Sequence, residues 1–246
     1  MTGDLWGAGV ARTYDEDTAA LSTPEVLGPV VDVLADLAGT GRALEFAIGT
    51  GRVGLALAAR GVPVAGIELS PHMLAELRAK TAAGAPGVDV VLGDMATTRV
   101  DGEFSLVYLV FNTITNLLEQ DEQVECFVNA ARHLAPGGAF CVETFVPELR
   151  RLPPGEDARP FDVTPEHLGF DTYDLLACRL TSHHVRFAAD GSASRFLSHH
   201  RYAWPAEYDL MARIAGLRPE SRWGGWDRSA FTAQSRSHVS VWRKEP

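Results

Sequence analysis

Positive charge is in short supply in this chain. Its 246 residues carry 32 acidic side chains against 22 Lys and Arg, a formal net charge of −10. A nucleic-acid backbone is bound by a basic surface, so DNA and RNA are not expected partners. Cysteine is scarce as well. Cys126, Cys141 and Cys178 are odd in number, far apart and form no CxxC pair. They fit reduced thiols in a cytoplasmic protein and supply neither a disulfide framework nor a zinc site. Long hydrophobic runs are also missing: the stretch from Phe104 to Phe111 is far below the ~20 residues that span a bilayer. No membrane partner is expected, and Met1 to Asp17 lacks the basic start and apolar run of a secretory leader. There is no internal repeat. The remaining composition, 46% hydrophobic and 22% charged, is that of an ordinary globular domain.

The order of elements is legible from periodicity. Val26, Leu27, Val30, Val31, Leu34 and Leu37 recur at helical spacing, with Thr23-Pro24 as the start signal and Gly39 and Gly41 as the stop. A short strand, Arg42 to Phe46, enters a glycine-rich turn, and a helix from Arg52 to Arg60 follows. A strand from Pro63 to Ile67 precedes a helix opened by Ser70-Pro71, and Val88 to Leu92 is a third strand. Phe104 to Phe111 is nearly all apolar, as expected of a strand covered on both faces. A helix from Gln120 to Leu134 ends at Pro136-Gly137-Gly138, before a strand from Ala139 to Phe145. This alternation predicts an α/β fold with a parallel sheet wrapped by helices.

The alternation then stops. Pro147 to Pro165 reads as a loop or lid. Tyr173 to Ala188 and Ser194 to Trp204 read as two strands of a hairpin about Asp190-Gly191. A helix from Pro205 and strands at Leu217 to Trp223 and His238 to Arg243 complete the chain. The expected organisation is a core of residues 1–145 and 205–246, with 146–204 as an inserted lid or substrate subdomain.

Gly49-Thr-Gly51-Arg-Val-Gly54 matches GxGxxG between a strand and a helix, where backbone can approach a ligand closely. Two cofactor classes compete for such a turn. A dinucleotide sets its pyrophosphate over the helix N-terminus. S-adenosylmethionine has no phosphate but carries a sulfonium, an ammonium and a carboxylate, so a nearby acid becomes useful. Glu45 stands four residues before Gly49, Glu68 closes the second strand, and Asp94 follows Gly93 after the third. Three acids ending successive strands share the edge where open α/β sheets bind ligands. Glu68 is suited to accept hydrogen bonds from ribose hydroxyls, a role it would have with either cofactor.

Glu45-Phe-Ala47-Ile-Gly49-Thr-Gly51 resembles the first motif of class I S-adenosylmethionine-dependent methyltransferases, with Ala47 where many members have glycine. Gly93-Asp94-Met95 is similar to the family's adenine-binding segment, in which the aspartate receives the amino group and the next residue lies on the ring face. The segment Leu109 to Leu118, including Val110, Phe111 and Asn112, looks like the stretch beneath the cofactor's methionine part. Arg12-Thr-Tyr14-Asp15 resembles a cap whose tyrosine closes over the cofactor. The resemblance implies a Rossmann-like, mostly parallel seven-stranded sheet with an antiparallel last strand and an inserted antiparallel β subdomain. It adds Leu69 and Met73 to the cofactor-binding set, and the insertion's placement is similar to that in antibiotic-sugar N-methyltransferases. The implied activity is methyl transfer from S-adenosylmethionine to an oxygen or nitrogen of a small molecule, by a monomer or homodimer.

No residue is singled out as catalytic. His183, His184, His199, His200 and Tyr202 are base candidates. A metal is not expected, because adjacent strand residues point to opposite faces and no cysteine completes a set. Phe161, Phe170, Tyr173, Tyr202, Trp204, Trp223 and Trp226 suit either a substrate pocket or simple packing. Phe111-Asn112-Thr113 replaces the Asn-Pro-Pro-aromatic motif that accompanies attack on base amino groups. The alternatives are a nicotinamide-dependent oxidoreductase and a cofactor-binding protein without turnover.

Overall fold

A computed structural model describes residues 6–246; Met1 to Leu5, part of the leader and domain readings, lie outside the described residues. The chain runs through α1 (Ala8–Asp17), α2 (Pro24–Ala38), β1 (Ala43–Phe46), α3 (Arg52–Ala59), β2 (Val64–Glu68), α4 (Pro71–Ala82), β3 (Asp89–Leu92) and β4 (Phe104–Leu109). It continues through α5 (Gln120–His133), β5 (Leu134–Phe145), β6 (Ala158–Val163), β7 (His167–Asp174), β8 (Arg179–Phe187) and β9 (Ala193–Arg201). It ends with α6 (Pro205–Ile214), β10 (Leu217–Trp223) and β11 (Ser237–Lys244).

The main sheet has seven strands in the order β10-β11-β5-β4-β1-β2-β3. Strand β11 is antiparallel to both β5 and β10, while β5, β4, β1, β2 and β3 pair in parallel. Strand alternation divides the core into two layers. Leu44, Phe46, Val107 and Val142 face α5 and α6, where Phe127 and Trp242 meet at 5.1 Å. Ala43, Leu106, Tyr108 and Cys141 face α2, α3 and α4. Side chains such as Leu34, Leu57 and Phe127 are fully buried, each worth ~1.5–3 kcal/mol of transfer free energy. The order turns back at β1, whose neighbours are β2 and β4, and this switch point opens a crevice at their carboxyl ends. Among the described residues no helix is long and apolar enough to cross a membrane.

The inserted region differs from its sequence reading. It is a four-stranded antiparallel meander, β6-β7-β8-β9, where two strands were expected. Part of the expected lid is β6, an edge strand that carries Pro160 and a bulge before Asp162. Proline is confined to such edges, and its presence reads locally as a loop. The stretch Tyr173 to Ala188 is the end of β7, a turn and β8. That turn, Leu175-Leu176-Ala177-Cys178, lacks the usual glycine, proline or asparagine. The Asp174 carboxylate accepts the Leu176 and Ala177 N–H groups instead, at 3.0 Å each.

The meander is tied to the core through Gln123 of α5, which is fully buried. Its amide nitrogen faces the Ile114, Leu117 and Arg201 carbonyls at 3.1–3.2 Å, and its Oε1 accepts from the Arg201 guanidinium at 2.6 Å. Gln123→Leu leaves these groups unpaired, so unfolding in urea should show a loss of about 2–4 kcal/mol.

Candidate cofactor site at the switch point

Six residues expected at a cofactor, Tyr14, Glu45, Ala47, Gly49, Val110 and Phe111, line one small, partly open pocket at the crevice. Ile48, Thr50, Arg52, Val53 and Thr113 complete the lining. Alternation along β1 points Glu45 toward α3 and away from Leu44 and Phe46. There it is almost wholly buried, accepts from the Tyr108 hydroxyl at 3.0 Å and sits close under Gly54. A Cβ on Gly54 would stand 2.7 Å from Glu45 Oε2, which accounts for the third glycine of the turn. Burial pushes the Glu45 carboxyl up to about 8, against the opposing pull of Tyr108, Arg52 and the Gly54 N–H.

Gly51, at φ 87°, gives the left-handed bend that starts α3. Glu68 braces the turn from β2: Oε2 accepts the Gly49 N–H and Oε1 the Ser70 N–H, both at 2.7 Å. Burial raises its carboxyl and the backbone N–H groups partly offset this. Leu69 is exposed, beside an equally exposed Leu92. Met73 is buried on α4, its N–H capped by Ser70 Oγ. Gly93 admits no side chain, since a Cβ would meet Thr98 Oγ1 at 2.1 Å. Asp94 Oδ1 accepts the Ala96 N–H at 2.7 Å, leaving Oδ2 without a bond among the described residues. Met95 is buried, with Ala96, as part of the core cluster.

Beyond β4, Phe111 and Asn112 both adopt left-handed backbone, φ 57° and 61°, as does Ala47 at φ 52° after β1. Such conformations cost non-glycine residues free energy and need external support. Glu143 supplies it: its Oε2 accepts the Phe111 N–H at 2.8 Å and its carbonyl the Asn112 N–H at 3.3 Å. The motif reading passed over Glu143, although it is the lone acid of an otherwise apolar strand. Arg52, within the glycine motif itself, was also missed. Its guanidinium lies over the Phe111 ring at 5.4 Å and donates to the Leu21 carbonyl. Helix α1 borders the pocket, fastened by Asp15, which accepts from Thr50 at 2.7 Å and pairs with Lys80 at 2.5 Å. Tyr14 is thereby half-buried, and the loss of solvent raises its phenol.

The chemistry of the lining discriminates between ligands. The Gly49 N–H that a pyrophosphate would use is already taken by the Glu68 carboxylate. A carboxyl group and a guanidinium, Glu45 and Arg52, line one pocket instead, the two groups that an amino-acid ammonium and carboxylate would meet. Together with the sheet order, this defines a Rossmann-like methyltransferase.

Comparison with known proteins agrees. Residues 43–138 match the model of a methyltransferase domain family. A cypemycin N-terminal methyltransferase from a Streptomyces species is 31% identical over 206 residues, 82% of each chain. The structure of the CcbJ methyltransferase from Streptomyces caelestis is similar with 38% identity, 96% of each chain covered and a TM-score of 0.86. CalS10, an amino pentose methyltransferase from Micromonospora echinaspora, shares the fold at 24% identity, 89% and 91% coverage and a TM-score of 0.69. The chain belongs to the methyltransferase family and is an S-adenosylmethionine-dependent enzyme of it. The nicotinamide alternative is not favoured.

The raised Glu45 carboxyl makes a measurable prediction. At pH 6.5 it is protonated in the free protein, and a ligand ammonium seated against it favours the carboxylate. S-adenosylmethionine binding at that pH should therefore release close to about one proton. Calorimetry in two buffers of different ionisation enthalpy measures this, and wild-type affinity should strengthen from pH 6 to 7. Glu45→Gln should show neither effect.

Proposed function

We propose that the switch-point cavity holds the methionine end of S-adenosylmethionine, Glu45 facing its ammonium and Arg52 its carboxylate, and that the methyl passes to an amine nitrogen of a small molecule. The single observation that carries the cofactor placement is that the Glu45 carboxyl and the Arg52 guanidinium line one pocket. In this reading Gly49, Gly51 and Ala47 let the backbone approach, while Val110, Phe111 and Asn112 form the wall beneath the methionine part. Glu68 offers its remaining lone pairs to the ribose, and Asp94 Oδ2 receives the adenine amino group over Gly93 and Leu69. Met73 and Met95 support these positions from within the core, and Tyr14 covers the site.

The bound cofactor supplies a methyl already activated by a cationic sulfur. The protein's residues then have to align the acceptor and exclude water. Helix α1, fixed by Asp15, is placed to do the second. A nitrogen acceptor is supported by the cypemycin relative, whose name assigns it an N-terminus. An acceptor amine that arrives as an ammonium first yields a proton to water; the freed nitrogen lone pair then attacks the methyl carbon and the S–C bonding pair returns to sulfur. We further infer a cytoplasmic protein, monomeric or homodimeric, that binds no nucleic acid, from its unpaired cysteines and acidic balance.

Parallel calorimetric titrations with S-adenosylmethionine, S-adenosylhomocysteine and NADH test the cofactor assignment. Micromolar binding of the first two and none of the third is expected. Arg52→Met should weaken both by about tenfold, the scale of one charged hydrogen bond, because both ligands carry the carboxylate. Binding of NADH alone would overturn the assignment.

A further inference from the structure

The inner face of the meander carries a polar row that the cofactor site does not use. Strand alternation and register put Asp171, Ser182, Ser198 and His200 on one face, together with Tyr173, Leu180 and Tyr202. At one end Tyr173, Leu180 and Tyr202 are buried against Phe145, Leu149 and Leu152 of the core. At the other end Phe161 and Phe196 are exposed on either side of His184, with ring centroids 5.3 and 5.8 Å from its imidazole. The Phe161 ring lies over Gly169, where a Cβ would stand 2.3 Å from it. Between these ends the polar row is half-buried. The face is thus buried against the core at one end and open at the other, with a half-buried polar row between and aromatic rings at the outer end.

The direction of the hydrogen bonds along this row is fixed. Thr115 Oγ1 donates to the Asn112 carbonyl at 2.7 Å, so it accepts from His200 Nδ1 at 3.0 Å. Burial lowers His200 to about 4, leaving the ring neutral with a lone pair on Nε2. Ser198 Oγ, 3.1 Å away, must therefore spend its hydrogen on that lone pair. Ser182 Oγ likewise donates to Asp171 Oδ1 at 2.6 Å. Asp171 lies directly across from Arg159, whose guanidinium turns to Glu148, and its Oδ2 has no hydrogen-bond partner among the described residues. Asp171 Oδ2 and the oxygens of Ser182 and Ser198 thus present lone pairs on this face, beside the Arg159 guanidinium. An ammonium group is the matching ligand, with three donors and no acceptor. The Tyr202 hydroxyl, buried on the same face without a partner, marks the inner end as incompletely satisfied.

We propose that this face is the acceptor-recognition site, taking a protonated amine on the Asp171–Ser182–Ser198 row and the ring attached to it against Phe161 and Phe196. The proposal rests on the amine-methyltransferase reading above. Its chemistry is shared by aminosugars and arylalkylamines, which the test separates. The row is linked through His200 and Thr115 to Asn112, at the wall of the cofactor cavity.

The test labels the histidine rings with ¹⁵N and follows them by NMR in protein saturated with S-adenosylhomocysteine. Methyl 2-amino-2-deoxyglucoside, 2-phenylethylamine and the neutral 2-phenylethanol are titrated in turn. At least one amine should shift His184 and His200 saturably while the alcohol leaves them in place; the amine that does so identifies the ring type. Asp171→Asn and Ser198→Ala should each weaken that amine, the former by about tenfold or more, with S-adenosylhomocysteine affinity unchanged as the check on folding. Silence toward both amines, an equal response to the alcohol, or undiminished binding by Asp171→Asn overturns the proposal. If S-adenosylhomocysteine fails to bind the wild type, the cofactor reading falls separately, and the amine titrations on the free protein still decide the recognition site.

Discussion

A carboxylate buried beneath a glycine turn is the constraint around which the rest of the site is arranged. Glu45 sits at the end of β1 with almost no access to water, and an isolated charge there is costly. Its surroundings answer that cost in part: the Tyr108 hydroxyl donates to it, Gly54 leaves it room, and Arg52 adds an opposite charge nearby. They do not answer it fully, which is why its pKa is pushed up to about 8. A cavity that withholds one stabilising charge from a buried carboxylate is prepared for a ligand that brings it.

The two loops that wall this cavity follow the same plan. Each leaves a parallel strand and bends through left-handed backbone at a non-glycine residue, Ala47 after β1 and Phe111 and Asn112 after β4. Each is held by a carboxylate from the neighbouring strand that accepts a loop N–H, Glu68 for Gly49 and Glu143 for Phe111. A carboxylate that accepts a backbone N–H makes a charge-assisted bond, stronger than the neutral kind. The strain is therefore offset by bonds that also fix the loops against one another, which suits a site whose main task is alignment.

The core's legibility in the sequence and the meander's resistance to it have one origin. Strands β1, β2 and β4 are buried on both faces, so their apolar runs and the glycine and proline signals between them specify one arrangement. Strand β6 is an edge interrupted by Pro160, and the β7–β8 turn is built from Leu175, Leu176, Ala177 and Cys178, with an aspartate side chain doing what glycine does elsewhere. Neither has a local signature. The same distinction applies within the site. Glu45, Glu68 and Asp94 occupy strand ends and are visible by position. Glu143 and Arg52 act through partners distant in sequence, Phe111 and Leu21, and only the folded register brings these together.

The two sheets divide the chemistry between them. The parallel sheet presents matched charges at its switch point, where strand ends and loop backbone are rigidly placed. The meander presents a row of lone pairs whose direction is set from the core, through Asn112, Thr115 and His200. Its orientation depends on a neutral imidazole. Were His200 protonated, Nε2 would become a donor and Ser198 would turn its hydrogen outward, so its oxygen would no longer be free to act as an acceptor alone. Burial, by keeping that ring uncharged, therefore preserves the acceptor on which the proposed recognition site relies. On that proposal the packing of the meander on the core serves recognition as well as stability.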